Sequence, residues 1–303
     1  MNHGLAIICL LLMLIGAPVM AQERGQYIPG FAGLNSGIQA PPGPTYVNMF
    51  TWYPANKFKD NNGNKAAINF DLDLLVDLNL LTYTTKKKFL GATYGASIGV
   101  PFVNTPISLP RLGQGINPSG LGDLYLEPIN LGWKGKKAET RFVYSIIAPT
   151  GEFSTPNKTT TTDYWGHDIT VARTFYLDPN HLKQFSISTN WEFHQKKRHE
   201  ELKVGNNVTL EAGAGKVFVK NKGQQLIQFG VVGYAEFQLT KDSGSAAPLA
   251  TINNKDRVFA IGPELGVILP TKGFNFLVRV LPEFAARNRT QGVTVMAGFA
   301  KSF

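Results

Sequence analysis

Three groups of residues in this chain have types and spacings that chemistry could use. Gly213-Ala214-Gly215-Lys216 resembles part of a phosphate-cradling loop. Such a loop needs a magnesium-binding hydroxyl after the lysine, where Val217 stands, and a first glycine where Leu210 stands. A β-strand explains the stretch better. His194 and His199 flank Lys196-Lys197-Arg198, with Glu200 and Glu201 following. Imidazole and carboxylate could share a surface metal there, and a solvated loop gives the same pattern. His167 beside Asp168, with Asp163 nearby, is the best candidate for a general base and its orienting carboxylate; a structural hydrogen bond is the alternative. No catalytic residue, metal or cofactor is assigned on this basis.

A larger set of ionisable residues recurs at a different spacing. Asp71, Asp73, Asp77, Asp123, Glu127, Glu192, Glu211, Glu236, Glu264 and Glu283, with Arg141 and Arg279, fall at alternate positions of apolar stretches. A period of two sends alternate residues to opposite faces of a strand. The clearest case is Asn69 to Leu80. Phe70, Leu72, Leu74, Val76, Leu78 and Leu80 share one face; Asn69, Asp71, Asp73, Asp77 and Asn79 share the other. Similar alternation recurs around 89–103, 183–194, 224–239, 274–284 and 291–303. In all, about twelve strands are expected, near 44–53, 67–83, 89–103, 120–133, 139–149, 163–176, 183–194, 206–219, 224–239, 256–269, 274–284 and 291–303. The spacers alternate between short and long, as in outer-membrane barrels. An all-β, transmembrane, antiparallel up-and-down barrel follows, with a periplasmic β-sandwich as the alternative. Arg173 and Lys216 fall among apolar positions, so they must sit near an interface or beside a bulge.

If the apolar faces meet lipid, the acidic set lines the lumen together with Tyr125. So many carboxylates must be wet, paired or partly protonated. They either fill a closed interior or border a path for neutral or cationic solutes. Tyr46, Phe50, Trp52, Tyr125 and Trp133 are candidate aromatic contacts, and interfacial girdle positions explain several of them equally well.

The 303 residues are 43% hydrophobic and only 17% charged, with 31 glycines and a net charge of +9. With the acids turned inward, the basic excess falls in loops and turns. Composition excludes a disordered chain, and a single long apolar run excludes a polytopic helical membrane protein. That run, Leu5 to Ile15, followed by Gly16, Pro18 and Val19-Met20-Ala21, reads as a signal peptide cleaved near Ala21. Cys9 is the one cysteine, so a processed chain has no disulfide or thiolate site. Residues 22–43 are rich in glycine and proline and form a linker or a lumen plug, with Tyr27, Pro29, Gly30 and Asn35 as plug candidates. Tyr27, Ile28, Phe31 and Leu34 need cover. The barrel is assigned to 44–303.

Several segments carry a family resemblance. They are Tyr27-Ile28-Pro29-Gly30, Gly33-Leu34-Asn35-Ser36-Gly37, Phe58-Lys59-Asp60, Phe70-Asp71-Leu72-Asp73, Gly120-Leu121-Gly122-Asp123, Pro149-Thr150-Gly151 and Asp256 to Glu264. In this order they resemble the outer-membrane family of putative MetA-pathway of phenol degradation proteins, also called SphA-like or transporter-like. The resemblance implies an outer-membrane barrel that handles hydrophobic or aromatic compounds, and it brings no catalytic motif.

The sequence therefore predicts a monomeric outer-membrane channel that passively admits small hydrophobic or aromatic solutes. Its expected partners are outer-membrane lipid and lipopolysaccharide, these solutes, and the barrel assembly machinery through Phe303, with no nucleic acid. A barrel-borne lipid hydrolase or protease and a purely structural protein are the alternatives.

Overall fold

The computed structural model describes residues 25–303 except 68, 111–112 and 248–251. The expected signal peptide lies outside the described residues.

Twelve long strands close into one antiparallel barrel, and three short ones extend it. The long strands are β1 (Gly43–Lys59), β2 (Asp71–Phe89), β3 (Ala92–Asn104), β7 (Leu124–Lys134), β8 (Ala138–Ala148), β9 (Gly166–Tyr176), β10 (Lys183–His194), β11 (Asn207–Lys220), β12 (Gln225–Gln238), β13 (Arg257–Leu269), β14 (Phe274–Arg287) and β15 (Arg289–Ser302). The short strands β4 (Ile107–Leu109), β5 (Gln114–Ile116) and β6 (Ser119–Leu121) belong to the long connection between β3 and β7. Each long strand pairs with its sequence neighbour, β3 with β7 across the inserted strands, and β1 with β15. That last ladder closes the cylinder and leaves no long edge. Among the described residues no helix is long and apolar enough to cross a membrane.

The two ends differ. At the turn end, strands join through tight connections, such as Leu90-Gly91 at φ +50° and +77°. Both positive angles match a two-residue hairpin turn, which a glycine accommodates freely. At the other, loop end lie the connections spanning 60–70, 105–123, 149–165, 195–206 and 239–256. Phe303, 74% exposed, donates its N–H to the Pro44 carbonyl at the turn end, where the cylinder is sealed.

The outer surface is an apolar band. Ile98, Val100, Phe102, Ile187, Leu210, Phe229, Val231, Ile261, Leu265 and Val278 all stand exposed on it. Arg173 and Lys216 also point outward, and the ladders of β9 and β11 show no register shift there. Both lie toward the turn end. The guanidinium of Arg173 sits 5.0 Å from the Phe175 ring centroid and the ammonium of Lys216 5.1 Å from that of Phe218. Aromatic contact and proximity to an interface let these cations stay on the band.

One strand reverses the expected arrangement. On β2, Leu72, Val76, Leu80, Thr82 and Thr84 are buried, and Leu74 and Leu78 share their face. This face points inward, because Thr82 meets Ser97 at 2.9 Å and Ser97 donates to Glu127 across the interior. Asp71, Asp73 and Asp77 therefore lie on the outer face, not in the lumen. Periodicity fixes which residues share a face but not which face is inside.

Candidate solute passage

The interior has a side dense in charge, where Val232, Val258, Ala260 and Leu281 also form an apolar cluster with Leu34, and a side with few charges. The charge-dense side, the polar wall, is carried by β7 to β14. Most of the expected lumen residues stand there: Asp123, Tyr125, Glu127, Arg141, Glu192, Glu211, Glu236, Glu264, Arg279 and Glu283. Burial of this many charges demands partners, and the wall supplies them. Arg279 pairs with Glu264 at 2.9 Å, with both side chains 2% exposed. Arg141 lies 3.4 Å from Glu127, and its Nε donates to Asn130 at 3.1 Å. Tyr125 bridges Glu127 and Ser145 at 3.1 and 2.8 Å. Glu283 accepts from the hydroxyls of Tyr53 and Tyr234 and from the Gly292 N–H. Asp123 takes the Gly151 and Thr162 N–H groups and so ties the 149–165 loop to the rim. Arg289, which sequence reasoning missed, pairs with Glu236 at 2.8 Å and with Asp256 at 3.2 Å.

The glycine- and proline-rich segment lies inside the barrel against this wall, running from the loop end to the turn end. Glu192 accepts the N–H groups of Gln26 and Tyr27 at 2.7 and 3.0 Å. Glu211 accepts the Tyr27 hydroxyl at 2.7 Å and the Gly30 and Ala32 N–H groups at 3.0 Å. Pro29, half-buried, lies between these anchors. Arg279 also donates to the Gly30 carbonyl. Asn35 donates to Gln228 and accepts from Gln184 at 2.8 and 2.9 Å, and Gln39 reaches the Asn130 carbonyl at 2.9 Å.

Leu34, fully buried, is the apolar pin of this segment. A Cβ added at Gly213, Gly215 or Gly230 would lie 2.8–3.0 Å from one of its methyl carbons. These glycines are a notch for Leu34, which explains the Gly-Ala-Gly stretch without a nucleotide. A Gly215→Val substitution overfills the notch at a cost of about 1–3 kcal/mol. Because about 1.4 kcal/mol is a tenfold change in population, we expect proteinase K to cleave residues 25–42 about five- to one-hundredfold faster in intact vesicles. Cleavage at the wild-type rate would contradict the pinning role.

The apolar wall is carried by β1 to β3. Val47 and Met49 on β1, Leu72, Leu74, Val76, Leu78 and Leu80 on β2, and Pro101 and Val103 on β3 point inward. Gly99 stands among them, its Cβ position 3.0–3.4 Å from Leu80, Leu78 and Tyr125. Leu78, Val47 and Val103 keep partial exposure and border interior space, while Leu74, also partly exposed, packs against the cluster of Ala55, Phe70, Leu72 and Ile107 near the loop end. Near the loop end a cleft of about 520 Å³ is bounded by Ala55, Leu72 and Glu283 from inside and Pro54, Asp73 and Val293 from outside. A second cleft of about 340 Å³ lies across β2, beside Ile107 and Ile116.

The other candidates separate. His167 and Asp168 occupy opposite faces of β9: His167 contacts the Tyr144 hydroxyl at 2.9 Å outside, while Asp168 is buried inside. Asp163 instead holds His199 at 2.7 Å, and His194 faces Glu192 at 3.4 Å. Among the described residues no group of three or more His, Cys, Asp or Glu side chains could hold a metal. Sequence reading also missed Gly95-Ala96-Ser97-Ile98-Gly99, which has nucleophile-elbow spacing. Ser97 lies within β3, not on a strand-to-helix turn, and its hydroxyl donates to Glu127. Tyr46, Phe50 and Trp52 face outward, and the Trp133 indole donates to the Leu90 carbonyl at the turn end.

The pattern of the putative MetA-pathway of phenol degradation family matches residues 55–299. The chain belongs to this family. No curated protein matches it. Among solved structures, the COG4313 outer membrane channel from Pseudomonas putida F1 is similar over 92% of this chain and 100% of that one, at 14% identity and a TM-score of 0.71. The β domain of the Bordetella autotransporter BrkA aligns over 87% and 100% at 12% identity and a TM-score of 0.57. The transport unit of the Escherichia coli autotransporter AIDA-I aligns over 95% and 97% at 12% identity and a TM-score of 0.53. These likenesses establish the outer-membrane barrel fold of this member of the phenol-degradation family.

Proposed function

We propose that this barrel sits in the outer membrane and passively admits small hydrophobic or aromatic solutes, phenol-like in size. The observation that carries this reading is the apolar inner wall of Val47, Leu74, Leu78 and Val103, left partly open while the 25–42 segment fills the polar half. A barrel built only to be filled has no need of accessible leucines in its interior. Covering an aromatic ring against such a wall is worth about 1.5–3 kcal/mol, enough to favour entry over water without trapping the solute. The clefts at the loop end supply the mouth. The outer-membrane channel among the similar folds and the family's link to phenol degradation support the same direction. The carboxylates of the polar wall favour neutral or cationic permeants over anions, and residues 25–42 act as a plug on that side. Phe303 at the sealed turn end is suited to recognition by the assembly machinery.

The test is uptake of radiolabelled phenol by cells with and without the chain. Faster uptake with the chain, linear in external concentration and unaffected by energy poisons, is expected. Equal uptake across a panel of phenols would sink the reading.

A further inference from the structure

The outer face of β1 and β2 breaks the apolar band. Asn48, Asp77 and Asn79 stand there at strand mid-height, between the outward aromatics Tyr46 and Trp52. The register sets them among apolar neighbours: Asn48 lies opposite Phe299, Asp77 opposite Phe50 and Phe102, and Asn79 opposite Val100. Within the chain, Asn48 Nδ2 donates to Asp77 Oδ1 at 2.5 Å, and the Tyr46 hydroxyl donates to Asn79 Oδ1 at 2.5 Å. Asn48 Nδ2 also donates to Asn79 Oδ1 and Asn79 Nδ2 to the Asp77 backbone carbonyl, both at 3.3 Å, which leaves one carboxylate oxygen of Asp77, the Asn48 carbonyl oxygen and one Asn79 amide hydrogen without partners among the described residues.

Acyl chains offer neither donors nor acceptors, so a lipid-facing carboxylate and two amides carry a desolvation cost that this barrel's other strands avoid at that height. We infer that this face docks a second copy of the same chain. The inference rests on the membrane-spanning reading but not on the solute. The patch carries one free amide donor beside free carboxylate and carbonyl acceptors, so a two-fold axis through it makes it its own complement. The remaining Asn79 amide hydrogen of each copy then reaches the Asp77 carboxylate of the other, the kind of polar contact that joins membrane segments. A purely acidic patch would call for a basic partner instead. Phe50, Trp52 and Phe102, 40–53% exposed, frame the patch with apolar contact area.

The test is cysteine cross-linking in native outer membranes, in the full chain with Cys9→Ser. Leu81→Cys lies on the outer face of β2 next to Asn79, and Ile187→Cys lies across the barrel on β10. With a short bis-maleimide, Leu81→Cys is expected to yield a band at twice the chain mass and Ile187→Cys none. Adding Asn48→Leu with Asp77→Leu should abolish the doubled band while the barrel stays folded and heat-modifiable. Three outcomes would overturn the proposal: Leu81→Cys at monomer mass only, a linked band of another protein's mass, or equal linking from both positions. Fractionation of the same cells tests the membrane reading separately, since a soluble chain would end both.

Discussion

Replacing Arg279 with methionine lowers the unfolding free energy of the barrel by about 3–5 kcal/mol. The guanidinium is buried and pairs at 2.9 Å with a carboxylate that is equally buried. Removing it leaves Glu264 charged in a site that water does not reach. Arg279 also donates to the Gly30 carbonyl, so the loss extends to the lumenal segment. Gly33, at φ +60°, brings the backbone against the Arg279 and Glu264 side chains, where a Cβ would collide with both. Because the cost arises from an unpaired charge, a second change should relieve it. Arg279→Met combined with Glu264→Gln is expected to recover most of the loss, giving a coupling within the range of residues in direct contact. Urea unfolding in lipid vesicles, read by heat-modifiable migration, measures both. A single variant within about 0.5 kcal/mol of wild type would contradict the pairing as a structural anchor.

The second large effect falls on transport. Leu78→Asp places a carboxylate on the partly open inner wall beside Gly99, on the face away from the polar anchors. The side chain faces accessible space rather than a packed core, so the barrel should still assemble. An aromatic solute passing that point then meets a hydrated charge in place of a methyl surface. A rise of only about 1.4 kcal/mol in the barrier is a tenfold slowing, and we expect phenol uptake to fall at least about that far. Leu81→Asp, on the outer face of the same strand, leaves the inner wall intact. It should not slow uptake in membranes holding equal amounts of folded barrel. Equal rates for Leu78→Asp and wild type would rule out this wall as the route.

Much of this architecture was legible in the chain. Twelve strand positions followed from apolar alternation and the spacers between runs, and the strands formed near those expected, with β1 and β2 each running six residues further at one end. β4 to β6 were missed because three-residue strands carry no measurable period. Face assignment was harder. On β10 the exposed apolar set Phe185, Ile187, Trp191 and Phe193 does face outward. On β2, the most regular stretch of all, the same rule inverted. Alternation is symmetric under a flip, and only tertiary contacts such as Thr82–Ser97–Glu127 decide the sense. The apolar inner wall was hidden by this inversion, since its leucines read as lipid contacts. Leu34 gave a better signal: an apolar residue in a glycine-rich stretch needs cover, and the glycines that receive it lie on strands 179 and more residues away. Arg289 carried no local cue, because its partners Glu236 and Asp256 meet it only through the closed sheet.

The most direct measurement is photolabelling with a radiolabelled aryl diazirine of phenol size, added to intact outer membranes and mapped by peptide sequencing. Saturable adducts at Val47, Leu74, Leu78 and Val103, competed away by excess phenol, are predicted. Adducts confined to outward residues such as Phe102, Ile187 and Phe229, or unaffected by phenol, would mean that aromatic solutes dissolve around this barrel and do not pass through it.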